Sequence, residues 1–281
     1  MKLHAIVLMC LLWNILPAQT STNKYFELGG VNLDMKEYVT AIKYYDSSLL
    51  IEPTKQSAYF NRALSKKGNK DFEGALVDIT TYINYNTEDI DSYLQRAIIK
   101  IKLNDTIGSN LDYNYCVLQK PDSALYRFSR ALFYADINQY DSAINDFTVL
   151  IKAHPVNSKF YYYLGLLEYV TDNYESAIWN LNRCIFLDSV NDEAIILRGR
   201  MKYFKEDYDG ALEDFSNTLS RDKSNVEALI WRAKTYYFND KEFDDELGRI
   251  DLQIAADLGS LEAKILLSTF YESGETIYAL N

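Results

Sequence analysis

Residues 124–157 read ALYRFSRALFYADINQYDSAINDFTVLIKAHPVN, and the periodicity inside this stretch decides the fold. Arg127, Arg130, Ala131 and Tyr134 recur at intervals of three and four, which places them together on a helix. Asn138-Gln139 gives a short turn. Tyr140, Ala143, Phe147 and Leu150 repeat the helical spacing, and His154-Pro155 ends the second helix, because proline cannot continue one. Ala131 and Ala143 are small enough to let the two helices approach, while Tyr140 and Phe147 fill the space beside them. A single hairpin of this kind leaves an apolar face uncovered, whereas stacked hairpins cover one another.

The stretch is one unit of a repeat. Small residues stand at Gly29, Ala63, Ala97, Ala131, Gly165, Gly199 and Ala233, each 34 after the last. Ala41, Ala75, Ser109, Ala143, Ala177 and Ala211 form a second series of period 34. Tyr38, Phe72, Tyr140, Tyr174 and Tyr208 form an aromatic one, with Thr106 in the gap. Pro53, Pro121 and Pro155 share one repeat position. The units run 22–55, 56–89, 90–123, 124–157, 158–191, 192–225 and 226–258. The seventh is irregular: one inserted residue near Phe243 restores its register, and Glu246 then stands where the small residue belongs.

Repeat one carries Tyr25, Leu28-Gly29, Ala41, Tyr45 and Pro53, and this pattern resembles the tetratricopeptide repeat (TPR); Asn32 departs from its tyrosine position. The tail AADLGSLEAKILLSTFYESG, residues 255–274, resembles a Sel1-like fragment. The resemblance implies an all-α, right-handed solenoid of about seven helix-turn-helix repeats, closed by a capping helix over about 261–272. Residues 19–281 then form one solenoid domain.

Residues 1–18, MKLHAIVLMCLLWNILPA, read as a secretory signal peptide. Lys2 precedes an apolar run too short to span a bilayer, and Pro17-Ala18 precedes a polar stretch, so cleavage is expected after Ala18. Met9 stands before Cys10 where a lipoprotein signal wants a small residue. The expected location is therefore the periplasm or cell envelope, or the secreted fraction, and the Asn-, Tyr-, Asp- and Lys-rich style suggests a bacterial source.

The chain carries 40 acidic and 29 basic residues, a net charge of −11, which disfavours nucleic acid as a partner. After cleavage only Cys116 and Cys184 remain; they share a repeat position two units apart, beyond disulfide reach, and read as buried thiols. His154 reads as a solvated turn residue, and no nucleophile, metal or phosphate-binding motif is present, so neither catalysis nor a cofactor is expected.

Arg62 and Asp78, Arg96 and Asp112, Arg130 and Asp146, and Arg198 and Asp214 are each 16 apart. Repeats one and five lose both members together, to Leu28 with Tyr44 and to Leu164 with Asn180. That covariation within one chain predicts ion pairs between the two helices of a hairpin. Repeat seven keeps Arg232 but has Gly248, which leaves that arginine without the partner.

In TPR proteins the first helix of each repeat lines a concave groove, at the second, fifth, ninth and twelfth positions. Carried onto this chain, the resemblance implies partner-binding residues Phe60, Phe128 and Tyr162 at position five. It adds Arg200 and Lys234 at position nine, and Tyr169, Tyr203 and Tyr237 at position twelve. The groove is apolar over repeats one to five and becomes a tyrosine ladder with two cations toward the C-terminal end. The expected function is an exported, non-enzymatic scaffold that binds a protein or peptide in this groove. The alternative is a glycan- or peptidoglycan-binding module using the ladder; self-association through the groove is a third possibility.

Overall fold

The computed structural model describes residues 21–239 and 244–272. The signal segment, Phe243 and residues 273–281 lie outside them. The chain forms two compact units, Met1–Arg130 and Ala131–Asn281, and the division falls inside a helix.

The first unit contains α1 (residues 21–34), α2 (Tyr38–Ile51), α3 (Gln56–Gly68), α4 (Phe72–Tyr85), α5 (Ile90–Lys102) and α6 (Thr106–Gln119), and ends within α7 (Ala124–Asp136). The second continues with α8 (Tyr140–Ala153), α9 (Ser158–Val170), α10 (Tyr174–Leu187), α11 (Asp192–Phe204) and α12 (Tyr208–Arg221). It closes with α13 (Val226–Phe238), α14 (Asp244–Asp257), α15 (Leu261–Leu267) and a π-helical turn, Ser268–Glu272. From α3 to α13 the odd helices begin 34 residues apart, as do the even ones from α2 to α12. The architecture is an all-α solenoid of helix-turn-helix repeats.

Small residues set the helix spacing. Ala41, Ala63, Ala75, Ala97, Ala177, Ala211 and Ala233 are fully buried. A Cβ added at Gly199 would stand 2.7 Å from the Phe215 ring, and one at Gly29 would stand 2.6 Å from Tyr45, so the facing helix lies on the bare glycine backbone. Between the helices of a hairpin the chain turns through a left-handed residue at Lys36, Lys70, Asn104, Asn138, Asp172 and Glu206, again one per period. Asp71, Asp105 and Asp207 cap α4, α6 and α12, each accepting from the glycine amide three residues on. Tyr59, Tyr93 and Tyr161 donate back to the loop carbonyls of Pro53, Thr87 and Pro155, so these aromatics tie each hairpin to the loop before it.

The ion pairs join helix to helix inside a hairpin. Arg62 donates from Nε and Nη2 to Asp78 at 2.7 and 2.6 Å. Arg96 does the same to Asp112 at 2.8 and 2.6 Å, and Arg198 to Asp214 at 2.9 and 2.5 Å. Arg130 and Asp146 fall in different units. A second cation joins each of the three: Lys66, Lys100 and Lys202. The arginines also reach the preceding hairpin, where Asp46, Asn114, Asn182 and Ser216 accept from Arg62, Arg130, Arg198 and Arg232. Repeat five solves the same position differently. Glu168 replaces the lysine, is almost wholly buried, and accepts from Ser176 at 2.8 Å and from Asn180 at 2.7 Å.

Repeat seven departs from its expected register. Arg232 is paired, with Asp251 at 2.7 and 2.8 Å, nineteen residues on rather than sixteen. Gly248 is the buried small residue and Glu246 is exposed, so the extra length before α14 is three residues, not one. Cys116 and Cys184 are buried free thiols. Burial pushes them up to about 12 and about 11 respectively. No described helix is long and apolar enough to cross a membrane, and the described residues hold no cluster of metal-ligating side chains.

Candidate functional site

α11 and α13 are first helices of successive hairpins, so one period places like positions side by side. α15 follows the last hairpin and lies outside the 34-residue period. Together the three helices and the π turn enclose a cleft of about 630 Å³. Tyr203 and Phe204 come from α11, Trp231, Lys234 and Phe238 from α13, Leu261, Glu262, Ile265 and Leu266 from α15, and Phe270 from the π turn.

The aromatic wall is internally ordered. Tyr203 meets the edges of Trp231 and Phe238 at 5.5 and 6.0 Å, and Phe204 meets Trp231 at 5.8 Å. Tyr237 stacks on Phe270 at 4.1 Å with the rings 11° apart, which anchors the turn that closes the cleft. Burial pushes the Tyr203 hydroxyl up to about 12, so it is neutral at physiological pH. Leu261 and Ile265 are exposed on the opposite wall.

One cation, Lys234, lines the cleft and a second, Arg200, flanks it. Arg200 lies 4.9 Å from the rings of both Tyr169 and Trp231, donates to the Tyr169 hydroxyl at 2.7 Å, and reaches the exposed Glu227 at 3.3 Å. Its Nε is buried without a hydrogen-bond partner among the described residues. Lys234 sits 4.6 Å from the Trp231 ring and pairs with Glu262 at 2.9 Å. Each cation thus carries its own carboxylate, and the cleft presents an apolar interior with a charge-matched rim.

Of the residues expected from sequence, Tyr203 and Lys234 line the cleft, Arg200 and Tyr169 flank it, and Tyr237 braces its closing turn. At position five, Leu94, Ile196 and Ile230 are buried, and Phe26, Phe60, Phe128 and Tyr162 are half-buried. Phe60, in the first unit, packs on Tyr82 at 4.9 Å, and Tyr162 joins the buried cluster around Leu181. Phe128 is half-buried on α7 in the first unit. Sequence reasoning passed over Phe204, Trp231, Phe238 and the α15 wall. Phe204 and Phe238 are one period apart, each directly after a ladder tyrosine, and that pairing is a legible signal.

A family model described as tetratricopeptide repeat matches residues 128–183. A tetratricopeptide repeat protein from Parabacteroides merdae is similar in structure, with a TM-score of 0.64 at 18% identity over 89% of this chain and 98% of that one. The fold is a tetratricopeptide-repeat solenoid. The C-terminal part of a TPR protein from Cytophaga hutchinsonii gives a TM-score of 0.72 at 16% identity, over 85% of this solenoid and 98% of its own chain. YrrB, a TPR protein with an unusual peptide-binding site, gives 0.52 at 17% identity over 61% of this chain and 88% of that one. No curated protein matches the sequence.

Proposed function

We propose that the protein is an exported, non-enzymatic scaffold, and that the cleft between α11, α13 and α15 holds an apolar segment of a protein or peptide partner. The observation that carries this reading is the cleft itself, with five aromatic rings and the aliphatic face of α15 around about 630 Å³. A cavity of that size and polarity suits one or two bulky side chains from a helix or extended segment. TPR-type solenoids are interaction scaffolds as a class, and YrrB carries a peptide-binding site on a related fold. Export rests on the leader-like residues 1–18.

The geometry favours a protein partner over a glycan. Sugar stacking needs a free ring face, but Arg200 lies over Tyr169, Phe270 covers Tyr237, and Tyr203 is wedged among Trp231, Phe238 and Tyr208. The test is a peptide-array screen with the full chain, followed by titration of binding peptides against tryptophan fluorescence. Leu261→Glu/Ile265→Glu is the comparison, since both side chains are exposed and line the cleft. Peptides with bulky apolar residues should bind the wild type and lose at least tenfold in affinity for the variant. Peptides that bind both proteins equally would refute the assignment of the cleft.

A further inference from the structure

The second helices of the hairpins show their outer faces to solvent. On these faces α2 exposes Val39 and Leu50 and α10 exposes Trp179 and Phe186, but α6 differs from the other described second helices in exposing no charge. On α6, Ile107, Leu111 and Leu118 are 79%, 65% and 75% exposed. The residues at the same three repeat positions are Asp209, Glu213 and Ser220 on α12, and Asp141, Asn145 and Lys152 on α8. Each of α2, α4, α8, α10 and α12 has a charged residue exposed; α6 has none, because its one charge, Asp112, is buried against Arg96 and Lys100. Solubility asks for charge there, as α12 shows, so the uncharged face needs an explanation.

Its spacing supplies one. Ile107, Leu111, Asn114 and Leu118 step by four, three and four, the seam of a two-helix coiled contact. That step pattern reads the same in both directions. An antiparallel copy of α6 therefore matches it, with Ile107 opposite Leu118 and Leu111 opposite Asn114. The same alignment places Asp105, exposed at the N-cap, opposite Lys120, exposed at the C-cap, and does so twice. We propose that the protein self-associates through α6, paired antiparallel with α6 of a second copy about a two-fold axis at the middle of the helix. Asn114 keeps its hydrogen bonds within its own copy, to Arg130 at 2.9 Å and to Asn110, and so enters the seam beside Leu111 of the second copy with its polar atoms already partnered. The interface shares no residue with the α11–α13–α15 cleft. One helix face is smaller than the ~800 Å² per partner of a typical stable complex, so association is expected to be weak and reversible and is sought over a concentration range that reaches roughly hundreds of micromolar.

Sedimentation equilibrium of the full chain across that range tests the proposal. The wild type should move from one chain toward two as concentration rises. Ile107→Asp/Leu111→Glu, which copies the α12 face, should stay at one chain with unchanged far-UV circular dichroism. The termini give a second test. Asp105→Lys and Lys120→Asp, each checked for unchanged far-UV circular dichroism because Asp105 also caps α6, should each weaken self-association by opposing like charges, and a mixture of the two variants should form a one-to-one heterodimer. A wild type that remains a single chain throughout would overturn the proposal, and so would a dimer that survives Ile107→Asp/Leu111→Glu. Failure of the two charge variants to pair when mixed, against a dimeric wild type, would overturn the antiparallel register.

Discussion

Replacing Asp214 with asparagine removes the carboxylate that two cations share. Its side chain is 2% exposed, and it accepts from Arg198 at 2.5 and 2.9 Å and from Lys202 at 3.0 Å. Breaking a buried pair from one side costs about 3–5 kcal/mol, mostly from the charge left behind. Arg198 and Lys202 are 18% and 17% exposed and so keep some water, which places Asp214→Asn near the lower end, about 3 kcal/mol. The chain also contains a working alternative, since repeat five holds Leu164, Glu168 and Asn180 in the same register. Grafting it as Arg198→Leu/Lys202→Glu/Asp214→Asn removes both stranded cations and restores an amide-to-carboxylate bond. Gly210 stands where Ser176 serves Glu168, so one carboxylate oxygen would lack its hydroxyl donor, leaving a residual cost of about 1 kcal/mol. Urea unfolding followed by circular dichroism measures both variants. The triple variant should be more stable than the single one by about 2 kcal/mol, the difference between these costs. A triple variant no more stable than Asp214→Asn would refute the argument that unpaired charge, rather than lost contact, sets the cost.

Two further predictions concern the turns and the thiols. Glu206 holds φ at 62° and Asn138 at 58°, a region that asparagine tolerates and glutamate does not, so Glu206→Gly should stabilise by about 0.5–1 kcal/mol and Asn138→Gly by less; thermal melts of the two variants check the order. Cys116, Cys184 and Tyr203 are raised to about 12, 11 and 12 by burial, so the fold holds these protons more tightly than the unfolded chain does. The stability they contribute is intact below the unfolded thiol value of about 8.5 and is lost as pH rises toward the folded ones. The urea midpoint should therefore fall from about pH 9 upward, with neither thiol reacting with a disulfide reagent in the folded state at pH 8; an unchanged midpoint at pH 10.5 would contradict this.

The fold was legible because the helix interface demands small residues at fixed intervals. Ala63, Ala97 and Gly165 are demanded by contact with the facing helix, so their period survives where surface residues vary freely. The left-handed turn position was hidden for the opposite reason. Its constraint is on the backbone, and Lys36, Lys70, Asn104, Asn138, Asp172 and Glu206 share no side-chain chemistry that would betray it. The seventh repeat lies two residues from its expected register because Glu246 by itself carries no mark of the helix interface. Gly248, Asp251 and Leu252 reproduce the small, acidic and apolar positions of Ala211, Asp214 and Phe215 together, and three matching positions outweigh one mismatch.

The cleft was half legible for a geometrical reason. Reasoning by repeat position finds what α11 and α13 share, and so it reached Tyr203, Lys234, Arg200 and Tyr237. It cannot find the opposite wall, because Leu261, Ile265 and Phe270 belong to no 34-residue column. The site is built where the 34-residue period stops, because beyond α14 the repeat columns no longer supply the helix that packs on the face of the preceding hairpin. α15 covers part of that face with seven helical residues, and a helix that short leaves part of it open. The cleft is therefore the part of that face that α15 and the π turn leave open among the described residues, and its aromatic lining is the kind of surface on which a further hairpin packs. The exposed stripe of α6 follows from the converse comparison. The other described second helices each expose a charged residue whereas α6 exposes none, and a departure from the chain's own habit marks a surface that solvent alone does not explain.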